Sequence, residues 1–129
     1  GRYDKGIGER RDACQALAYL AQINIENICL AGYSFGAWVN AQIHPDDAPL
    51  TEMIMVSPPV AFMDFEPIHK IANLKLVVTG SIDDSAPAHM IQERLPSWNP
   101  ATQFEIIPEA DHFYSGYTDI LASTLMAYI

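Results

Sequence analysis

Basic residues are scarce in this chain. Seven Lys and Arg stand against sixteen Asp and Glu, for a formal charge of −9. A surface of that sign repels phosphate backbones and anionic lipid, so neither nucleic acid nor a membrane is an expected partner. Its ordinary role is solubility. Cysteine is nearly absent: Cys14 falls in a helical stretch, Cys29 in an apolar strand-like one, and no C-x-x-C spacing occurs. Both are read as buried thiols rather than as a disulfide framework, which fits a reducing cytoplasm. No apolar run approaches the ~20 residues that a membrane span requires, and no signal peptide is visible. Metal-ligand spacing is missing as well. His44, His69 and His89 are scattered at 25- and 20-residue intervals, and no H-E-x-x-H occurs, so structural or solvated roles are expected for all three and no metal for the chain. The phosphate-cradling G-x-x-x-x-G-K-[ST] and the dinucleotide G-x-G-x-x-G are absent too, and no cofactor is expected.

What remains is a chain of 129 residues, half of them apolar, which suits one folded domain with a buried core. Its opening, GRYDKGIGE, reads as a loop entering a helix. Over residues 8–23, Ala13, Ala16, Leu17, Leu20 and Ile23 fall on one stripe, the period of an amphipathic helix. Residues 27–33, NICLAGY, form a short apolar run ending near a glycine, as a buried strand does. A helix over 35–43 follows, closed by His44-Pro45. Strands are predicted at 52–57, 74–79 and 102–107, a short helix at 65–72, and a helix over 86–95 closed by Pro96. The last helix carries Tyr117, Ile120, Leu121, Thr124, Leu125, Tyr128 and Ile129 at three- and four-residue intervals, a stripe expected to face a core. Strands separated by helices imply right-handed crossovers. The fold class is therefore α/β, with about four mostly parallel strands flanked by helices on both faces.

In such sheets, function gathers at the C-terminal ends of the strands. The first strand ends in Gly32-Tyr33-Ser34-Phe35-Gly36 and runs at once into a helix. A serine in G-x-S-x-G sits on a sharp strand-to-helix turn that lifts its hydroxyl clear of the sheet. Side chains at the two flanks are expected to collide with the turn or a neighbouring strand, hence glycine at both. The third strand ends in Gly80-Ser81-Ile82-Asp83-Asp84-Ser85-Ala86-Pro87, where a carboxylate can orient a histidine. Paired Asp before a helix also serve as caps, a task expected of Asp84 while Asp83 faces the site. The fourth strand ends in Pro108-Glu109-Ala110-Asp111-His112-Phe113-Tyr114, which offers a loop histidine. The chain order is Ser, Asp, His. Tyr33 and Met63 are candidate walls of a substrate pocket, with core packing as the alternative for each.

The GYSFGA elbow, the GSIDDSAP acid loop and the EADHFY histidine loop resemble the α/β-hydrolase superfamily, and most of all its small, lidless members akin to dienelactone hydrolases and short-acyl esterases. The opening YDKGIGERRDACQAL is similar to the helix those proteins carry before the elbow strand. The resemblance covers essentially the whole chain. It implies Ser34 as nucleophile, Asp83 as acid, His112 as base and the Phe35 amide as one oxyanion donor. The family's acid stands three residues past the strand-closing glycine, which selects Asp83 over Asp84. Asp111 and Asp64 are the substitutes. The implied function is a carboxylesterase- or thioesterase-like serine hydrolase acting on a small-molecule acyl substrate. The alternatives are a non-catalytic binding module of the same fold, or one half of a split hydrolase. One departure stands out: nothing corresponds to the family's first strands or to the loop giving the second oxyanion amide. Residues 1–129 are accordingly expected to be one domain lacking its N-terminal strands, which either dimerises or is completed by a missing N-terminal segment, and which alone is weak, aggregated or dimeric.

Overall fold

The computed structural model describes residues 6–44, 46 and 49–129. Its elements run α1 (Ile7–Gln22), β1 (Cys29–Tyr33), α2 (Phe35–Ala41), β2 (Glu52–Val56), β3 (Leu74–Gly80), α3 (Ala88–Trp98), β4 (Gln103–Ile107) and α4 (Thr118–Met126). The four strands form one parallel sheet in the order β1-β2-β3-β4. All four predicted strands are present, and so is the predicted parallel arrangement.

The apolar strands divide their side chains between two cores because successive residues point to opposite faces. Met53 and Met55 of β2 join Leu17 of α1, Trp38 and Val39 of α2, and Ile91 and Trp98 of α3 on one face. Ile54 and Val56 join Leu76, Val78, Ile107 and Tyr114 on the other, with Leu121 and Leu125 of α4 packed against them. One irregularity keeps this sorting correct. Met53 pairs with Leu74 and Ile54 with Leu76, so Lys75 is an extra residue on β3. That bulge puts Leu74 on the first face and Leu76 on the second. The Lys75 ammonium donates to both Glu52 oxygens, at 3.3 and 3.2 Å, and to the Tyr128 carbonyl at 2.8 Å.

Several elements differ from the prediction. No helix forms over 65–72, which contains Pro67. The Asp64 carboxylate instead accepts the Glu66 amide at 3.0 Å in a local turn, and Phe65, Ile68 and Ile71 peg the segment to the core. The helix expected to stop at Pro96 continues to Trp98, because burying Trp98 (1% exposed) outweighs the one hydrogen bond that proline removes. The apolar stripe of the last helix is only partly used. Tyr117, Leu121, Leu125 and Tyr128 pack on the second core, whereas Ile120 and Ile129 are exposed. Cys14 is half-buried and Cys29 exposed, so neither is a buried thiol. Cys29 lies on β1, which among the described residues pairs with β2 alone and has every residue exposed or half-buried. Among the described residues, no helix is long and apolar enough to cross a membrane.

Candidate active site

The elbow occupies one residue, since β1 ends at Tyr33 and α2 begins at Phe35. Ser34 lies between them at φ 55° and ψ −119°, a left-handed conformation that costs a residue with a Cβ about 1–3 kcal/mol. The surroundings enforce it. The Ser34 amide donates to the Val56 carbonyl of β2 at 2.9 Å, and the Ser34 carbonyl accepts the Ala37 amide at 2.9 Å and the Trp38 amide at 3.2 Å. A Cβ on Gly32 would stand 2.6 Å from Asn40 Nδ2 and 2.7 Å from the Gly36 carbonyl oxygen, so only glycine fits there. A Cβ on Gly36 would meet nothing within 4 Å. The expected crowding of both flanks therefore applies to Gly32 and not to Gly36; among the described residues, β1 has no second strand beside it.

The acid and histidine loops are pressed together where β3 and β4 end. A Cβ on Gly80 would come within 2.1 Å of the Ala110 carbonyl oxygen, and the Ile82 amide donates to that same carbonyl at 3.1 Å. Asp83 is 3% exposed. Its Oδ1 accepts the Ser85 and Ala86 amides, each at 2.9 Å. Asp83 itself thus caps the turn, and Asp84, to which that task was assigned, is exposed. The turn is closed by Thr79 Oγ1, which donates to the Ala86 carbonyl at 2.7 Å.

The three loops meet at His112. Its Nδ1 is 3.0 Å from both Asp83 oxygens and its Nε2 is 2.8 Å from Ser34 Oγ. With the carboxylate accepting, Nδ1 carries the ring proton and Nε2 is left to accept from the serine hydroxyl. The substitutes for the acid face elsewhere: Asp111 Oδ1 accepts the Phe113 amide at 3.0 Å and the Ser115 amide at 3.2 Å, and Asp64 holds its own turn. Phe35 is half-buried against the first core, 5.6 Å from the Trp38 ring. Met63 is half-buried against that core too. Tyr33 is 45% exposed, and its hydroxyl donates to the His112 carbonyl at 2.6 Å. Burial, then the negative charges of Asp83 and Asp111, raise the Tyr33 phenol above its ordinary value.

Two further residues support the histidine loop. Ser57 follows β2 with φ 49° and Tyr114 follows His112 with φ 55°. Both are buried, and their hydroxyls are 2.7 Å apart. Burial pushes the Tyr114 phenol up to about 12, against the opposing effect of the Ser57 hydrogen bond. Neither residue was singled out from the sequence, because partners 57 positions apart leave no local pattern. Beside Tyr33 and Phe113, an apolar groove of about 400 Å³ runs along α4 to Leu121 and Leu125. Among the described residues, no group of three or more His, Cys, Asp or Glu is placed to hold a metal ion.

No protein-family model matches the chain. Solved structures match it along its length. An α/β serine hydrolase homologue from Coxiella burnetii superposes with a TM-score of 0.86 at 29% identity, over 100% of this chain and 62% of that one. A serine hydrolase without a lid from Xanthomonas campestris gives 0.83 at 25% identity, over 98% of this chain and 58% of its own. An uncharacterized protein of Rickettsia prowazekii is 27% identical over 100% of this chain and 58% of that sequence. The chain thus spans about three-fifths of the length of the relatives it matches. Its architecture is the C-terminal part of an α/β-hydrolase fold, and its structural neighbours include lidless members.

Proposed function

We propose that the chain is the triad-bearing part of a serine hydrolase that cleaves small acyl esters or thioesters, with Ser34 as nucleophile, His112 as general base and Asp83 as the acid that orients it. The hydrogen-bonded line from Ser34 Oγ through both nitrogens of His112 to the buried Asp83 carries this reading. Ser34 Oγ attacks the acyl carbonyl carbon as its proton passes to Nε2, and the carbonyl electron pair moves onto oxygen. The Phe35 amide, at the first position of α2, is the proposed donor to that oxyanion. Collapse expels the alcohol or thiol, which takes the proton from Nε2 and leaves Ser34 acylated. Water then attacks the acyl carbon, giving its proton to Nε2, and expulsion of Ser34 Oγ returns that proton to the serine. Asp83 stays ionised and stabilises the imidazolium formed in each half. No helix stands over the site in the connection between β2 and β3, so an open cleft suits small acyl groups, for which Tyr33 and Met63 are candidate walls.

The free edge of β1 is proposed to receive further strands from the length by which the relatives exceed this chain, either in cis or as a companion polypeptide. A cytoplasmic setting fits the two free thiols. Hydrolysis of p-nitrophenyl acetate tests the chemistry. Ser34→Ala and His112→Ala should each lower kcat/KM by about 10³-fold or more without changing the thermal midpoint by more than a few degrees. Hydrolysis that persists in both variants contradicts the proposal, and it would then favour a binding module with incidental reactivity.

A further inference from the structure

We infer that Tyr33 is a positioning residue for the base: its hydroxyl pins the backbone of His112 and thereby keeps the imidazole on the Ser34 hydroxyl. This deepens the serine-hydrolase reading and rests on it. The bond joins residues 79 positions apart, at 2.6 Å from Tyr33 Oη to the His112 carbonyl. The two rings lie 5.5 Å apart at 30°, so the phenol also flanks the imidazole it holds.

The histidine loop needs such a hold because it follows the last strand and contains two non-glycine residues of positive φ, Glu109 and Tyr114. Its shoulders are fixed by other groups. Ser81 Oγ accepts the Glu109 amide at 2.6 Å, and Tyr114 bonds to Ser57. Asp111 closes the turn between them through the Phe113 and Ser115 amides. At His112 itself, the side chain bonded to the backbone is that of Tyr33. Tyr33 is also the last residue of β1, in register with Val56, and immediately precedes Ser34. Nucleophile and pin therefore share one rigid strand end, and a displacement of that end carries both together. The contact between Ser34 and His112, at 2.8 Å, is preserved by this arrangement. The raised phenol pKa keeps Tyr33 a donor through neutral pH. A wall of the acyl pocket would need the ring of Tyr33, whereas a pin needs its hydroxyl, and this difference is what an experiment can separate.

Tyr33→Phe retains the ring and deletes the hydroxyl. In the 129-residue chain, kcat for p-nitrophenyl acetate should fall by about ten- to a hundredfold with KM unchanged, the range expected when reacting groups lose their alignment. Independently of turnover, the Nδ1–H proton of His112 should give a downfield NMR resonance in the parent chain that broadens or disappears in Tyr33→Phe, while the thermal midpoint holds. An unchanged kcat with the ring resonance intact overturns the inference. So does a rise in KM at constant kcat, which would assign the hydroxyl to substrate binding rather than to the alignment of His112. If neither chain turns over substrate, loss of the ring resonance in the variant supports the pin while the hydrolase reading fails, and its persistence overturns the pin as well.

Discussion

Ser34, Ser57 and Tyr114 all hold left-handed backbone at the ends of strands or in the loop beyond them, and each pays for that conformation through a named contact rather than through glycine. Ser34 is held by Val56 of the neighbouring strand, and Ser57 and Tyr114 hold one another. Tyr114→Phe leaves the buried Ser57 hydroxyl unpaired and should cost about 1–3 kcal/mol, read as a lower urea midpoint. The pH dependence follows from the same phenol. Its folded pKa of about 12 lies above the ordinary tyrosine value of 10.0, so the unfolded chain ionises first. Its stabilising contribution is complete below pH 10 and is lost as pH rises to about 12. In Tyr114→Phe the urea midpoint should fall less steeply across that window, and equal slopes would contradict this account. Gly80→Ala should disorder the acid and histidine loops together, since its Cβ would occupy the Ala110 carbonyl; circular dichroism retaining the helices alongside lost esterase activity is the expected result. At this scale the sequence was informative where chemistry sits at a strand end. Ser34 was legible from its local motif, whereas Asp83 and His112 were singled out by the order along the chain and the family resemblance; in the fold, His112 lies within hydrogen-bond distance of both Ser34 and Asp83. The Ser57–Tyr114 bond and the target of the Tyr33 hydroxyl were not legible, because each joins residues 57 or 79 apart through a side chain whose direction no local period encodes.

Elements were legible wherever an apolar run had the right period and length. β2 and β3 announced themselves as near-continuous apolar strands, buried on both faces. The bulge at Lys75 was hidden, because its effect is to change parity against a partner strand rather than within its own run. Proline misled in two directions. Pro67 lies within the turns that replace a predicted helix, and Pro96 failed to end one because Trp98 had a core to fill. Pro96 is exposed, so Pro96→Ala should restore a helical amide and raise stability by about 1–3 kcal/mol, seen as a higher thermal midpoint.

At the scale of the whole molecule, the sheet formed by the described residues has two open edges. β4 lies at one edge and β1 at the other, with β1 exposing Cys29, Ala31 and Tyr33. An uncovered parallel edge is a template for another strand. The chain alone should therefore associate as its concentration rises, by light scattering after size exclusion. Ala31→Lys, a charge on that edge, should shift it toward monomer, and a monomer at every concentration would contradict this expectation.

The account turns on Ser34 being an activated nucleophile. Intact-mass analysis after exposure to a fluorophosphonate probe measures that directly. One adduct, mapped to the peptide bearing Ser34 and abolished in His112→Ala, is the predicted result. A chain that stays unmodified, or that is labelled equally after Ser34→Ala, would contradict it.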